Sequence, residues 1–404
     1  MCARNWVKSD RGRTVKEGST PATDSGLLLS IAIPTKNRQP YLINLVDELL
    51  RSDRQDFEIV LQDNSDDDQL FAYVAGLDDA RVHYAYVGEW ISVVDNCDAA
   101  VRRCSGDYVC MLGDDDGVML DEALEEMAAA KREGADAVMG PVLLYTWPDI
   151  THRNISGLGG KLYRRPLFGL RRNADPLADA RRVVARSGAM GLEGLPCVYQ
   201  GFVGRAVLDE VAARTGSCFP GASPDMANAI GIASFVKQCR WVDRPLVIAG
   251  HSRSSGAGRG TMREHRGSIA EQRHLPADTV QTWHPQIPFF WSGPTIYAQS
   301  LRTAIDRTGT GAALGVPGDA CLYSACFIFE RSYATDIRAA MGNSREGIVT
   351  LIPKMIYYAL VITAKRAVQF KNNMFVRFFP DKAAIEAASI AEAIVAVRMQ
   401  RRWR

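Results

Sequence analysis

Apolar runs of strand length alternate with helix-spaced stretches over the first third of the chain. Leu27 to Ile33 is apolar on both faces and closes at Pro34-Thr35-Lys36-Asn37-Arg38, the pattern of a central parallel strand. Pro40 then stands where a first helical residue would, and Leu42, Leu45, Val46, Leu49 and Leu50 keep helical spacing to Arg51. Phe57 to Leu61 predicts a second strand, ending at Gln62-Asp63-Asn64-Ser65. A solvated run, Asp66-Asp67-Asp68, caps a short helix from Gln69 to Leu77, and Val82 to Val87 is a third strand. Ser92 with Asp95 three residues on resembles a capping box for a helix through Arg103. The apolar run from Tyr108 to Leu112 is a fourth strand, leading into Gly113-Asp114-Asp115-Asp116. A helix over Leu120 to Glu133 and a strand over Ala135 to Leu144 follow. Strand and helix in that rhythm make a mostly parallel α/β sheet flanked by helices.

Beyond Tyr145 the pattern loosens, with Pro, Gly and Arg dispersed to about Gly194. Strand character returns at Leu195 to Val203, followed by a helix from Arg205 to Arg214. A Pro- and Gly-rich loop leads through Asp225 into an apolar helix, Met226 to Val236. Trp241 to Ala249 reads as a strand, with Pro245 marking an edge. His251 to Thr261 has no periodicity of its own and suits a loop near a site. Helical patches interrupted by Pro fill the rest, up to a basic end at Arg398 to Arg404. Ile348 to Ala364 is apolar apart from Thr and Lys354 and is broken by Pro353; it reads as a buried or interfacial helix, short for a span.

At 404 residues the chain can bury a large core in two or three structural units. Its net charge of +2 gives no reason to invoke nucleic acid. The nine Cys form no CxxC pair, and Cys110, Cys239 and Cys326 sit in apolar runs as buried free thiols of a reducing compartment would. The N-terminal stretch has no apolar core of signal-peptide length, so the chain is expected in the cytoplasm.

Chemistry concentrates at Asp114-Asp115-Asp116. Three adjacent carboxylates repel unless a cation compensates, and hard divalent ions take carboxylate and phosphate oxygens together. The cluster therefore suits a metal bridging protein and phosphorylated substrate, at the carboxyl end of a strand where open α/β sheets place ligands. The bland alternative is an Asp-rich turn capping the next helix. An EF-hand register fails at Gly117, and there is no GxGxxG or Walker loop, so a phosphate site must rest on metal and side chains. The strand followed by Asp114-Asp115-Asp116-Gly117-Val118 also resembles the nucleophile motif of haloacid dehalogenase-like phosphatases, although that motif usually sits on the first strand.

The stronger resemblance is to family 2 glycosyltransferases. Leu29-Ser30-Ile31-Ala32-Ile33-Pro34-Thr35-Lys36-Asn37-Arg38 is similar to their opening strand and turn. Ile59 to Ser65 resembles the second strand, Asn96 with Ala99 the Asn-bearing helix, and the Asp cluster the metal-binding DxD. The match covers roughly residues 27 to 120 and departs at Gly113, where the family commonly has Asp. The resemblance implies a GT-A fold. It sets a nucleotide-sugar-binding half (27–144) before an acceptor-binding half (145–260), while the aperiodic residues 1–26 read as a disordered tail and 261–404 as a mainly helical extension. It implies a donor site of Pro34, Thr35, Asn37, Arg38, Asp63, Asn96, Asp114 and Asp115, with Asp63 on the nucleotide base. Asp115 and then Asp116 would hold Mn²⁺ or Mg²⁺. The general base would be Asp225, with Glu193 in reserve. The resemblance implies sugar transfer, inverting in the family's manner and metal-dependent, in bacterial polysaccharide synthesis. The expected acceptor is a glycan on a lipid carrier, at the inner face of the cell membrane. A catalytically silent nucleotide-sugar-binding protein with this fold is the remaining alternative.

Overall fold

A computed structural model describes residues 7–8, 14–15, 26–151, 158–166, 175–256, 258, 266–378 and 384–399. Two short strands, β1 (Val7–Lys8) and β2 (Thr14–Val15), pair antiparallel ahead of the expected sheet. The expected alternation follows: β3 (Leu29–Thr35), α1 (Gln39–Leu49), β4 (Phe57–Asp63), α2 (Gln69–Leu77), β5 (Val82–Tyr86), α3 (Val93–Arg102), β6 (Tyr108–Met111), β7 (Gly117–Val118) and α4 (Leu120–Glu133). Next come β8 (Ala137–Met139), β9 (Val142–Thr146), β10 (Lys161–Pro166), α5 (Pro176–Val184), β11 (Phe202–Gly204), α6 (Arg205–Thr215), α7 (Pro224–Ile232), β12 (Cys239–Trp241) and β13 (Val247–His251). The remaining elements are α8 (Gly293–Thr308), α9 (Gly311–Leu314), α10 (Asp319–Phe329), α11 (Ala334–Gly342), α12 (Ile348–Phe378), β14 (Ala384–Glu386) and α13 (Ile390–Met399).

The large sheet runs β1-β2-β5-β4-β3-β6-β11-β8-β12, and its centre, β5-β4-β3-β6, is parallel. Every residue of β4 is buried, as a strand covered on both faces requires. Leu29, Ile31 and Ile33 face α1 and α4, packing with Leu42, Leu45, Leu124 and Met127. Ala32, Val60, Val109 and Met111 face the other way, onto Val94, Cys97 and Val101 of α3 and Val207 and Leu208 of α6. A second sheet, β14-β10-β9-β13-β7, stands beside the first.

Three strand expectations give way to shorter elements. Ala135 to Leu144 breaks at Gly140-Pro141 into β8, in the large sheet, and β9, in the small one. A Cβ at Gly140 would lie 2.9 Å from the Val242 side chain, and Pro141 has no N–H to donate. Trp241 to Ala249 breaks in the same way into β12 and β13. Since β12 pairs parallel with β8 and β13 with β9, the two segments leave one sheet and enter the other side by side. Leu195 to Val203 is strand only from Phe202, because Gln200 takes a positive φ of 58° that a strand does not tolerate.

Thr14 pairs with Tyr86, so part of the expected disordered tail forms a ribbon at the sheet edge; the rest of 1–25 lies outside the described residues. The extension is mainly helical but returns to the small sheet at its end, where β14 pairs with β10. Ile390, Ala393 and Ile394 of α13 then pack with Met119, Leu143, Tyr145 and Ile248. Among the described residues all cysteines are free, and Cys110 and Cys326 are buried while Cys239 is half-buried.

Candidate active site

The Asp cluster follows β6 at the carboxyl end of the parallel strands. None of its members caps α4, whose N-cap is Met119, so helix capping does not account for the acids. Asp114, Asp115 and Asp116 are all buried. Each is held by a different part of the chain.

Asp114 Oδ2 accepts from Thr35 Oγ1 at 2.7 Å and lies 3.0 Å from Arg38 Nε. Its Oδ1 is buried with no hydrogen-bond partner. Burial pushes its pKa up to about 7, against the pull of Arg38. Burial by itself would lower the Arg38 pKa, but Asp114 and Asp115 outweigh it and raise it. Asp115 Oδ2 accepts from the Ser252 amide at 2.9 Å and from Ser252 Oγ at 2.7 Å. Its Oδ1 has the Arg38 guanidinium at 3.7 Å. Its carbonyl accepts from Trp147 Nε1 at 2.9 Å. Gly250 makes this fit possible, because a Cβ there would fall 1.7 Å from the Asp115 carbonyl oxygen.

Asp116, expected beside Asp115 as a metal ligand, has both oxygens already engaged. Oδ1 accepts from the Gly250 amide at 2.8 Å, Oδ2 from the Gly113 amide at 2.8 Å, and Gln200 Nε2 reaches both at 3.0 Å. Its pKa is also raised, by burial first and by Asp115 second. A Cβ at Gly113 would meet Asp115 Oδ1 at 3.1 Å and Asp116 Oδ2 at 3.2 Å. Another carboxylate there would crowd oxygens of like charge, which accounts for Gly at the position.

A divalent cation fits this donor set in part. The acceptors left for a cation are Asp114 Oδ1, buried with no hydrogen-bond partner among the described residues, and Asp115 Oδ1, which has the Arg38 guanidinium at 3.7 Å, beyond hydrogen-bond length. Both are hard carboxylate oxygens of the kind Mg²⁺ and Mn²⁺ take. Asp116 is the tie that holds the turn. Among the described residues no group of three His, Cys, Asp or Glu forms a closed metal cage.

The other expected donor residues gather around the ends of β3 and β4. Asn37, with φ 57°, donates from Nδ2 to Asp66 at 2.8 Å, and its amide donates to Ser65 Oγ at 2.8 Å, tying the two strand exits together. Asn96 Nδ2 donates to the Thr35 carbonyl at 3.2 Å, while its buried Oδ1 has no partner. Pro34 is half-buried on β3 beside these groups. Asp63 is fully buried; it accepts from the Ser65 amide at 2.8 Å and from Tyr84 at 3.0 Å, and burial raises its pKa.

Asp225 occupies the second position of α7, behind the N-cap Ser223, and is half-buried. Its carboxylate accepts from Ser223 Oγ, from the Met226 amide at 2.9 Å and from the Tyr297 hydroxyl of α8. Segment 197–200 joins this helix to the acids. The Val198 amide donates to Asn228 of α7 at 2.9 Å, the Gln200 amide donates to the Met111 carbonyl, and the Gln200 side chain grips Asp116. Tyr199 between them feels Asp116, Asp115 and Asp225, and burial foremost raises its pKa well above the ordinary value. Glu193 is engaged elsewhere, with Arg186 on both its oxygens at 2.8 and 2.6 Å and Lys365 at 3.2 Å.

Sequence reasoning did not single out Gln200, Ser252, Trp147 or Tyr199. It did place the loop after β13 near a site, and Ser252 opens that loop. His251 lies close enough to Asp115 for its charge to oppose the burial that lowers the His251 pKa.

The sheet, parallel at its centre and with buried acids at the carboxyl end of β6, is an α/β architecture of the kind GT-A domains have. Residues 30–179 match the family model described as glycosyl transferase family 2, so that part of the chain is similar to that family. The putative colanic acid biosynthesis glycosyl transferase WcaA of Escherichia coli (strain K12) is 32% identical over 93 residues, 22% of this chain and 33% of that protein. The GalNAc(5)-diNAcBac-PP-undecaprenol beta-1,3-glucosyltransferase of Campylobacter jejuni is 30% identical over 119 residues, 29% of this chain and 38% of that protein. The chain thus spans little more than a third of the curated relatives it matches. A structure of S. aureus TarS 1-349 with UDP-GlcNAc superposes with a TM-score of 0.46 at 13% identity, covering 82% of this chain and 79% of that one. The haloacid dehalogenase-like alternative loses its footing, because β3, β4 and β5 of the parallel core precede β6 in the chain and this segment matches the transferase family model.

Proposed function

We propose that this protein moves a sugar from a nucleotide-sugar donor to an acceptor hydroxyl, with inversion at the anomeric carbon. The observation that carries the reading is the buried acid cluster with open oxygens on Asp114 and Asp115, next to the exits of β3 and β4. The donor would lie across those exits. Pro34, Thr35, Asn37 and Asn96 would shape the nucleotide pocket, and Asp63 would stand behind the base. Arg38 supplies a fixed positive charge toward the diphosphate and opposes the burial that raises the Asp114 pKa. Asp115 would hold a divalent cation with Asp114 beside it, while Asp116 orients the turn. When bound, Mn²⁺ or Mg²⁺ supplies Lewis-acid stabilisation of the leaving diphosphate. Asp225 takes the proton from the attacking hydroxyl, since it is half-exposed at a helix start and tied through 197–200 to the acids.

The acceptor would be a glycan on a lipid carrier in bacterial polysaccharide synthesis, at the inner face of the cell membrane. The name of the Campylobacter relative, with its undecaprenol-linked substrate, supports that class. A panel of nucleotide sugars with Mn²⁺ or Mg²⁺ tests the reading. We expect nucleoside diphosphate to raise the melting temperature only with metal, and Asp115→Asn to remove that shift. Rapid hydrolysis of simple phosphomonoesters would replace the reading with a phosphatase. Binding with no turnover on any acceptor would leave a silent nucleotide-sugar-binding module.

A further inference from the structure

Helix α12 carries an apolar face that no described part of the chain covers. Its inner face, Leu351, Met355, Tyr358 and Ile362, packs on the side of α10. There Ser324 Oγ donates to the Met355 carbonyl at 2.8 Å. On the opposite side stand Val349, Ile352, Ile356 and Leu360, exposed by 82, 39, 59 and 68%. Steps of three and four residues put these on one stripe, and Tyr357 broadens it. A row of this kind exceeds the scattered apolar residues normal on a protein surface.

The charge on this helix has one sign. Ile348 to Phe378 contains no Asp or Glu, but it holds Lys354, Lys365, Arg366, Lys371 and Arg377. Lys354 pairs with Glu346 and Lys365 with Glu193, while the Arg366 guanidinium sits 4.5 Å from the Phe329 ring centre. These contacts hold the Lys354, Lys365 and Arg366 side chains away from the stripe.

We propose that α12 lies in the plane of a bilayer containing anionic phospholipid. Val349, Ile352, Ile356 and Leu360 enter the acyl boundary, and the Lys and Arg residues stay at headgroup level. Charge selects this occupant over a second copy of the chain. A two-fold interface would set one acid-free basic helix against its twin, whereas an anionic surface complements it. Crossing the bilayer is disfavoured because it would strip the inner face from α10 and carry Lys354, Lys365 and Arg366 into hydrocarbon. The inference deepens the membrane setting of the proposed function and rests on it only for that setting.

The test uses the whole protein in flotation with phosphatidylcholine vesicles, with and without about 30% phosphatidylglycerol. The wild type should float with the anionic vesicles. Val349→Ser, Ile356→Ser and Leu360→Ser together should cut the bound fraction about tenfold or more. These positions are exposed, so circular dichroism, melting temperature and nucleotide-sugar turnover with a water-soluble acceptor should stay unchanged. Three results would overturn the proposal: a triple variant that floats like the wild type, a wild type that floats with neither vesicle, or a dimer that the triple variant merely dissociates. Flotation without any sugar turnover would sink the transfer reading alone, and turnover without flotation would sink the docking alone.

Discussion

At the scale of single residues, the site is built by giving each acid its own partners. Arg38 and Thr35 hold Asp114, Ser252 holds Asp115, and Gln200 with two glycine amides holds Asp116. Three buried carboxylates stay together because donors from three distant segments converge on them. Asp225 is held as carefully, by Ser223, the Met226 amide and Tyr297. That arrangement makes Asp225→Asn informative. The amide oxygen can keep the Ser223 and Met226 contacts, and the Tyr297 hydroxyl can turn to accept from the new NH₂. Turnover should fall by about 10²–10⁴, with melting temperature and metal-dependent nucleotide affinity intact. Near-normal turnover would reduce Asp225 to an organiser of the start of α7.

At the scale of elements, a buried carboxylate locks the opening of the sheet. Glu58 on β4 accepts from Ser30 Oγ of β3 at 2.6 Å and from the Ser105 amide before β6 at 2.6 Å, with His83 of β5 at 3.2 Å. It thereby stitches four neighbouring strands at the end opposite the acids. Burial alone would raise its pKa, but His83, Ser30 and Ser105 overcome that and lower it to about 2. A depressed folded pKa gives stability that is fully present above the unfolded value and is lost as pH falls through the folded one. The window therefore runs from about 4.5 down to about 2, and the contribution at neutral pH is about 3 kcal/mol. Glu58→Gln should lower unfolding free energy at pH 7 by an amount of that order. It should also flatten the loss of stability between those two pH values in denaturant titrations. An unchanged acid limb would mean that other carboxylates carry it.

At the scale of the whole molecule, residues 384–399 complete the small sheet that β7, β9, β10 and β13 form in the middle of the chain. β14 adds to the small sheet beside β10, and α13 covers Met119, Leu143 and Ile248. Ile390 lies so close to Gly117 that a Cβ there would stand 2.7 Å from its side chain. Arg398 also reaches Asp121 and Glu122 of α4 at 3.2 and 3.3 Å, a surface contact of small weight. The buried Ile390, Ile394 and Val397 are each worth roughly 1.5–3 kcal/mol. Truncation after residue 383 should therefore cost on the order of 5 kcal/mol, comparable to a domain's net stability. We expect a truncated protein that aggregates or melts far below the full chain. A soluble truncation with the same melting temperature would show that the return is an appendage.

Much of the sheet was legible because it is local. Runs apolar on both faces gave β3, β4 and β6, helical spacing gave α1, and α4 matches its expected span of Leu120 to Glu133. The acid cluster was also visible, since adjacent like charges stand out in any sequence. Its chemistry was not, because the partners of those acids lie 79, 84 and 137 residues away, at Thr35, Gln200 and Ser252. Residues so far apart in the chain leave no periodic trace; only folding brings Ser252 onto Asp115. Gly140-Pro141 carried a local sign of its break, a proline with no N–H to donate, but the change of sheet there and between β12 and β13 was hidden for the same reason. That reason also hid the return of residues 384–399. Hydrophobic period decided which segments become strands and helices, because burial acts on every residue where it stands. Which sheet each strand joins, and which donors meet at the acids, was decided by packing between segments that have no sequence relation to one another.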